Sequence, residues 1–206
     1  MENSNLKFLL EKLDLDFDDT FYKRCDTFIS LLQEWGAIHN FTSAKALSKA
    51  NIIDNIVDSI YPLKFLNSFN SFVDVGTGAG YPGMLLAIAR PDTKAILVEP
   101  KAKRVAFLNF VKNSLKLENV EVLHKKVQDI SPSEYDLITS RAVTNTSLLL
   151  SLTQNITSSQ TEFLFYKGSL CEDEIKEIKL NNYEIITVGE YRNFLYIKRK
   201  GLFDDI

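Results

Sequence analysis

A glycine-rich segment from Phe72 to Gly83 carries the residues of this chain that are best suited to hold a small molecule. A short apolar run there ends in Asp74, and four glycines fall within the next stretch: Gly76, Gly78, Gly80 and Gly83. Glycine is needed where the backbone takes a positive φ or where a ligand comes close to it. Pro82 suits the first position of a helix, where a missing N–H costs nothing. Strand, glycine turn and helix together predict a cradle of backbone N–H groups at the end of the strand.

The glycines fit two loop patterns. The segment Gly78 to Gly83 matches G-x-G-x-x-G, and Glu99 ends the next predicted strand about twenty residues later, as in nicotinamide-dependent oxidoreductases. In the other register Asp74 stands two residues before the first of three alternating glycines, as in enzymes that use S-adenosylmethionine. In that case Glu99 would accept hydrogen bonds from ribose hydroxyls, and Asp74 would lie near the methionine part of the ligand. The residues of the loop leave both ligands open.

Two further residues could contact the adenine ring of either ligand. Val127 and Gln128 follow the third predicted strand, where the ring would lie in such a fold. Val127 could pack on the ring while Gln128 or the backbone hydrogen-bonds its edge. The same residues are also compatible with a solvated helix cap.

Six basic residues are candidates for contact with an anionic partner: Lys101, Lys103, Arg104, Arg141, Lys167 and Arg192. The first three begin the helix after Glu99, where cations oppose the helix dipole unless an anionic partner favours them. Arg141 and Lys167 end the fourth and fifth predicted strands, at the edge where open α/β sheets bind ligands. Arg192 lies in the predicted last hairpin turn.

The elements that must position these residues alternate along the chain. Strands are predicted at Phe72–Val75, Ala95–Val98, Val120–Leu123, Asp136–Thr139, Glu162–Tyr166, Glu184–Val188 and Phe194–Arg199. Helices are predicted at Pro82–Ala89, Lys101–Leu115, Thr146–Gln154 and Cys171–Leu180. This alternation indicates a parallel α/β sheet. Because only five residues separate the last two strands, they must form a hairpin, and the last strand is predicted to be antiparallel to the others.

The segment before the first strand is predicted to be helical. Residues 1–68 are interpreted as a helical extension packed on the core, and residues 69–206 as the Rossmann-like core. Thr20 is predicted to cap a helix that Gly36 ends. A connector over residues 39–43 then leads to a second helix, whose apolar stripe runs from Ile52 to Ile60.

Composition restricts the class of protein. Of 206 residues, 45% are hydrophobic and 25% charged, which is typical of a globular chain. No apolar run is long enough to span a membrane, and the first residues lack a signal-peptide pattern. We therefore expect a cytoplasmic protein whose two cysteines are reduced. The two histidines supply no zinc cluster, no metal site is predicted, and no G-x-S-x-G elbow occurs.

Charge is unevenly distributed. The net charge is −3, yet Ser71 to Asn145 holds 10 Lys and Arg against 8 Asp and Glu and is the only net-basic part of the chain. A local basic patch of this kind is compatible with a nucleic-acid partner.

Taken together, these motifs resemble the glucose-inhibited division protein B family, the guanine-N(7) methyltransferases of 16S ribosomal RNA. The segments that carry the resemblance include Trp35 with 40–42, Asp58-Ser59, the loop 74–83, Lys103 to Leu108, Ser140-Arg141-Ala142, Lys167-Gly168 and Arg192. Many members have Asn where this chain has Gly36, and His where it has Asn55.

The resemblance implies a class I methyltransferase fold with a seven-stranded sheet and an N-terminal helical extension. It implies S-adenosylmethionine as the methyl donor and 16S ribosomal RNA, or the small ribosomal subunit, as the substrate of what we expect to be a monomer. The residues expected to hold the donor are Asp74, Gly76, Gly78, Gly80, Tyr81, Glu99, Val127, Gln128 and Arg141. Those expected to bind RNA are Lys101, Lys103, Arg104, Lys167 and Arg192, and Arg141, Lys167 and Arg192 are the candidates for a catalytic role.

Two alternatives remain at this point. A nicotinamide-dependent oxidoreductase would need a proton donor in a second substrate region, and the residues after the loop offer none. The other alternative is a non-catalytic module that binds RNA or a nucleotide. Such a protein would have retained the glycine loop but lost catalytic activity.

Overall fold

Seven strands are present in the computed structural model, which describes residues 4–39, 43–169, 171–176, 178, 180, 182–189 and 192–198. They are β1 (Ser71–Val75), β2 (Lys94–Val98), β3 (Val120–Leu123), β4 (Leu137–Arg141), β5 (Glu162–Lys167), β6 (Tyr183–Val188) and β7 (Arg192–Ile197). Within this described part of the chain they form one sheet in the order β3-β2-β1-β4-β5-β7-β6.

The sheet is parallel except at β7. Strand β1 lies in the middle and pairs in parallel with β2 on one side and β4 on the other. Strand β7 is antiparallel to both of its neighbours, β5 and β6. The predicted seven-stranded, mostly parallel sheet with an antiparallel last strand is therefore confirmed. The carboxyl ends of β1, β2, β4 and β5 meet at one edge, where the candidate residues lie.

Helices cover both faces of this sheet. In the described part of the chain three precede it, α1 (Ser4–Glu11), α2 (Asp19–His39) and α3 (Lys49–Ile60), and four follow β1: α4 (Gly83–Ala89), α5 (Ala102–Ser114), α6 (Thr146–Leu152) and α7 (Cys171–Lys176). Short 3-10 turns occupy Lys45–Leu47, Tyr61–Lys64, Val127–Asp129 and Gln154–Ile156. None of the helices in the described ranges has the length and apolar character needed to cross a membrane.

Each face of the sheet has its own hydrophobic core. On one face, residues of the three N-terminal helices pack together with those of α4 and α5, for example Phe28, Ile56, Met84 and Phe107. On the other face, apolar residues of the strands pack with Leu149 of α6 and Ile175 of α7. The N-terminal helices thus share one continuous core with the sheet and form part of the wall above its carboxyl edge.

Two predicted boundaries of α2 are wrong. Its N-terminus is capped by Asp18, whose Oδ1 accepts the N–H of Phe21 at 2.8 Å, so Thr20 lies inside the helix. Gly36 does not end the helix, which continues to His39. A Cβ on Gly36 would lie 2.4 Å from Cδ2 of Leu47, so this glycine lets the 3-10 turn that follows α2 approach the helix closely.

Several other ends differ from the prediction. Strands β4 and β5 extend to Arg141 and Lys167, so both cations belong to strand ends. Arg192 is the first residue of β7 and pairs with Val188, rather than lying in the hairpin turn. Helix α7 is described over Cys171–Lys176, and Ile178 and Leu180, which were predicted to belong to it, are not helical. The predicted end of the last strand at residue 199 and most of the connector over 39–43 lie outside the described residues.

Candidate functional site at the carboxyl edge of the sheet

The glycine loop joins β1 to α4 and takes the strained conformations that its sequence predicts. Gly76, Gly78 and Gly80 have φ angles of 68°, 62° and 101°, in the region that glycine alone adopts readily. Gly83 is required for a different reason. A Cβ there would lie 2.4 Å from Cδ2 of Leu97 and 2.6 Å from the side chain of Asp74, so α4 can start this close to the sheet only with glycine.

The N–H groups of the loop are used inside the protein. Hydrogen bonds to backbone carbonyl oxygens use the N–H groups of Gly76, Thr77, Gly80, Tyr81 and Met84. The N–H of Gly78 donates to Oε2 of Glu99 at 3.0 Å, and that of Gly83 donates to Oδ2 of Asp74 at 2.8 Å. The predicted cradle of N–H groups aimed at a ligand is therefore not formed by these seven residues. These groups instead hold the loop against the ends of β1 and β2.

Asp74 lies beneath the loop and links three elements. Its side chain is fully buried, and its carboxylate accepts hydrogen bonds from the N–H of Gly83 in α4 and from Oγ1 of Thr139 in β4. Burial raises the pKa of Asp74 to about 6, although the hydrogen bonds to the carboxylate and the charge of Arg141 act in the opposite direction. Asp74 therefore joins β1, β4 and the start of α4.

A cavity of about 770 Å³ opens above the loop, within the size range of small-molecule sites. Seven of the nine residues predicted to hold the cofactor line it: Gly76, Gly78, Tyr81, Glu99, Val127, Gln128 and Arg141. The other two do not reach its wall. Asp74 is buried below the loop, and Gly80 packs towards Met84, Leu108 and Phe28.

Glu99 is held in a fixed orientation at one side of this cavity. Its side chain is almost completely buried, and its two carboxylate oxygens accept the N–H groups of Gly78 and Lys101 at 3.0 and 2.9 Å. Nη1 of Arg104 lies 3.5 Å from Oε2. Since each carboxylate oxygen can accept more than one hydrogen bond, Glu99 can also accept from hydroxyl groups of a ligand.

Tyr81 lines the same cavity and has an unused polar atom. Its hydroxyl is buried and has no hydrogen-bond partner among the residues that the structure describes. Burial raises the pKa of Tyr81 above its ordinary value, so the phenol is neutral near pH 7 and can donate a hydrogen bond. The guanidinium of Arg141 lies 4.8 Å from the centre of the ring, in cation–π contact.

Arg141 also contacts the N-terminal helices. Its Nη1 lies 2.8 Å from Oδ1 of Asn55 and 3.3 Å from Oδ2 of Asp58, both on α3. The other oxygen of Asp58 lies 3.4 Å from Nε of Arg192. Asp58, Arg141 and Arg192 line a second groove of about 210 Å³, which shares Arg141 with the larger cavity.

The remaining predicted cations are spread over three places. Lys101 and Arg104 line the large cavity, whereas Lys103 is exposed on α5 and lies away from its wall. Lys167 lines the second groove, but its Nζ lies 2.8 and 3.1 Å from the two carboxylate oxygens of Glu174. Burial opposes ionisation of Glu174, yet the hydrogen bonds from Lys167 and from Thr146 prevail and lower its pKa. Of the six cations, the structure thus brings together Lys101 with Arg104, and Arg141 with Lys167 and Arg192.

Sequence reasoning missed several residues of the site. Asn55 and Asp58 bind Arg141, and Leu32 and Ala46 line the cavity from the N-terminal segment. Val143 lies over Gly76 and lines the cavity as well. The three-residue spacing of Asn55 and Asp58 puts both on one face of a helix, which was a usable signal. The family resemblance includes both Asp58 and Arg141, but it does not indicate that the two side chains meet.

The sequence of this chain matches a family model and named relatives. The family model for rRNA small subunit methyltransferase G matches residues 22–192. The ribosomal RNA small subunit methyltransferase G of Aliarcobacter butzleri is 54% identical over 193 residues, which cover 94% of this chain and 98% of that protein. The protein of the same name from Wolinella succinogenes is 40% identical over 199 residues, or 97% of this chain and all of that protein.

Solved structures resemble the fold. A SAM-dependent methyltransferase from Aquifex aeolicus superposes with a TM-score of 0.58 at 17% identity, covering 80% of this chain and 98% of that chain. The predicted class of fold and the family resemblance seen in the sequence are confirmed by these matches.

Proposed function

We propose that this chain, which belongs to the rRNA small subunit methyltransferase G family, transfers a methyl group from S-adenosylmethionine to ring nitrogen 7 of a guanosine in 16S ribosomal RNA. It is an S-adenosylmethionine-dependent methyltransferase of small-subunit ribosomal RNA. The atom of the base and the roles of individual residues are our proposal, and the large cavity at the carboxyl edge is the observation that carries it.

The residues of this cavity fit S-adenosylmethionine. Glu99 offers buried carboxylate oxygens to ribose hydroxyls, and the buried Val127 beside the exposed Gln128 offers an apolar face and a polar edge to adenine. The free hydroxyl of Tyr81 offers a donor to the carboxylate of the methionine part. Asp74 acts through the loop that it anchors, since its own oxygens lie below the cavity.

The same loop disfavours a nicotinamide dinucleotide. A pyrophosphate at such a loop is bound by free N–H groups of the loop and of the following helix N-terminus. Here the N–H groups of Gly76, Gly78, Gly80 and Gly83 all donate inside the protein. S-adenosylmethionine carries no phosphate and so does not require a phosphate-binding loop.

Residues of the second groove are proposed to hold the acceptor. When bound, S-adenosylmethionine supplies a methyl group on a positively charged sulfur. Nitrogen 7 of guanine has a free lone pair, so the protein need not remove a proton before transfer. Arg141, which lines both cavities, is placed to orient the RNA next to the donor site. Arg192 is proposed to bind a phosphate or the carbonyl edge of guanine, contacts that arginine makes readily.

Catalysis on this proposal depends on positioning. Correct alignment of reacting groups in a site that excludes water can account for much of a rate enhancement without a general base. Lys101 and Arg104 at the rim of the large cavity, and exposed Lys103 farther along α5, are proposed to bind RNA phosphates. Lys167 is proposed to contribute less directly, because Glu174 already neutralises its charge. A guanine that is unpaired or can be splayed out is the expected target.

We also propose that the protein acts as a monomer in the cytoplasm, where its ribosomal RNA substrate is found. Elution of the purified chain at the volume of a 23.5 kDa monomer would support this proposal.

The test of the function is a methyl-transfer assay with labelled S-adenosylmethionine on 16S RNA and on isolated small subunits. We expect label in the RNA at a single guanosine, located by chain cleavage at 7-methylguanosine. Titration with NADH in parallel should show no binding. Absence of transfer to both substrates would remove the proposed activity, and label at another atom of the base would remove nitrogen 7 as the acceptor.

A further inference from the structure

We propose that Asp58 is a positioning residue of the methyl transfer, which holds Arg141 and Arg192 in the arrangement that the acceptor nucleotide requires. The inference rests on the proposed function and deepens it, because it assigns a role at the acceptor groove to a residue of the N-terminal helices. Asp58 lies on α3, whereas the two arginines end β4 and begin β7.

The carboxylate of Asp58 is shared between the two arginines. Oδ2 lies 3.3 Å from Nη1 of Arg141, and Oδ1 lies 3.4 Å from Nε of Arg192. The Asp58 side chain is 13% exposed, and those of Arg141 and Arg192 are 23% and 45% exposed. Each oxygen thus serves one guanidinium group, and Arg192 is the more exposed of the two arginines.

Electrostatics explains why a carboxylate is needed between the two arginines. Two guanidinium groups that face one small groove repel each other, and an anion between them offsets this repulsion. Without the carboxylate, the more exposed Arg192 would turn towards water, where its charge is better solvated. The distance between the guanidinium groups of Arg141 and Arg192 would then no longer be fixed when RNA binds.

The backbone that carries Asp58 is itself firmly held. The carbonyl oxygen of the next residue, Ser59, accepts a hydrogen bond from the hydroxyl of Tyr166 in β5 at 2.6 Å. Ile56 and Ile60 on either side are fully buried in the core. Asn55, one turn earlier, holds Arg141 at 2.8 Å. The carboxylate of Asp58 therefore has a fixed position at the groove, because the core holds the backbone on either side of it.

The first experiment replaces Asp58 by Asn, which keeps the size of the side chain and removes its charge. We expect kcat on 16S RNA to fall by about tenfold or more, as misplacement of catalytic groups commonly causes. The Kd for S-adenosylmethionine, measured by calorimetry without RNA, should stay within about twofold, since Asp58 does not line the large cavity and Asn55 still binds Arg141, which does. The Kd for RNA should not increase, because the variant has lost a negative charge next to the bound phosphates.

This separation of turnover from binding distinguishes positioning from a structural role. Asp58→Glu restores the charge and should recover part of the lost turnover. Asp54→Asn is the matched control, because Asp54 is exposed on the same helix and lies away from both grooves, and it should behave like wild type. In an Arg192→Gln background, Asp58→Asn should lower kcat by less than it does alone, because one of its partners is already missing.

Three outcomes would overturn the proposal. They are an unchanged kcat in Asp58→Asn, a parallel loss of S-adenosylmethionine binding and thermal stability in both Asp58 variants, and fully additive effects with Arg192→Gln. Wild-type protein is measured in the same assay. If it does not methylate RNA, the proposed function fails, whereas active wild type with active Asp58→Asn refutes only the role of Asp58.

Discussion

Individual carboxylates near the glycine loop have separate tasks, although the sequence suggests that they act on the same ligand. Glu99 faces the large cavity and is oriented by two backbone N–H groups. Asp74 is one residue before the end of β1 but points below the loop, where it fixes the start of α4. Spacing in the sequence identifies both residues. It does not reveal that the carboxylate of Glu99 reaches the cavity and that of Asp74 does not, because this depends on how the loop folds back on β1.

Replacement of Glu99 by Gln tests its proposed contact with the donor. The change replaces a charged carboxylate by a neutral amide. A hydrogen bond to a charged group contributes roughly 1.5–3 kcal/mol to the free energy of binding. We therefore expect a Kd for S-adenosylmethionine that is at least about tenfold higher, measured by calorimetry. Glu121→Gln, at an exposed position in the neighbouring strand β3, is the control. Equal affinity in Glu99→Gln and wild type would rule out the contact.

The raised pKa of Asp74 makes stability depend on pH in a defined direction. The folded state binds this proton more tightly than the unfolded chain, in which an aspartate has a pKa near 4. The stabilisation of the folded state by this proton is fully present below about pH 4 and is lost as pH rises through about 6. The free energy of unfolding changes by an amount on the order of 3 kcal/mol over this range. Asp74→Asn removes the titration. The unfolding free energy of wild type minus that of the variant should therefore decrease between pH 4 and pH 7, as measured by urea denaturation.

A constant difference between the two proteins over this range would show that Asp74 has an ordinary pKa in the folded state. Asp92→Asn, in the exposed turn before β2, should leave the pH profile of wild type unchanged.

At the scale of elements, types and order follow from the sequence better than ends and contacts. Alternating strands and helices and the short final connection predict the sheet, including the direction of β7. The C-terminal end of α2 is mispredicted because Gly36 is needed for packing against Leu47 rather than for a turn, and the N-terminal end because Asp18 rather than Thr20 is the cap. The contact of α3 with β4 and β7 could not be predicted, because Asn55 and Asp58 are far from Arg141 and Arg192 in the chain.

The close approach of α4 to the sheet gives a prediction about Gly83. Gly83→Ala would place a methyl group 2.4 Å from Cδ2 of Leu97, and overpacking of this kind costs roughly 1–3 kcal/mol. For a chain of this length each kcal/mol lowers the melting temperature by about 2–4 °C. The control is Gly168→Ala, because a Cβ there would meet no atom within 4 Å. Equal melting temperatures of the two variants in calorimetry would show that the sheet and α4 can move apart.

In the whole molecule, the N-terminal helices and the sheet behave as one packed body around the site. Residues from α1, α2 and α3 belong to the same hydrophobic cluster as α4 and α5, and α3 is bonded to β5 through Ser59 and Tyr166. Composition predicts a globular chain, and the resemblance predicts its ligands. The joint contribution of both parts of the chain to the second groove became visible only in three dimensions.

Cooperative unfolding is the expected consequence. Trp35 is the only tryptophan and lies in α2, so its fluorescence reports on the N-terminal helices. Far-ultraviolet circular dichroism reports on helices and strands of the whole chain. We expect the two urea transitions to coincide, as in two-state unfolding. A fluorescence transition at clearly lower urea would mean that the N-terminal helices detach first and unfold separately.

The position of β7 has a consequence for how the protein is made. Residues 192–197 leave the ribosome after residues 162–167 and 183–188, yet they occupy the place between those two strands. A growing chain therefore exposes the unpaired edge of β5 until β7 has emerged, and such an edge invites pairing with other chains. The Asp58–Arg192 ion pair likewise cannot form earlier. The second groove is thus among the last parts to be completed during synthesis, so an unfinished chain lacks it.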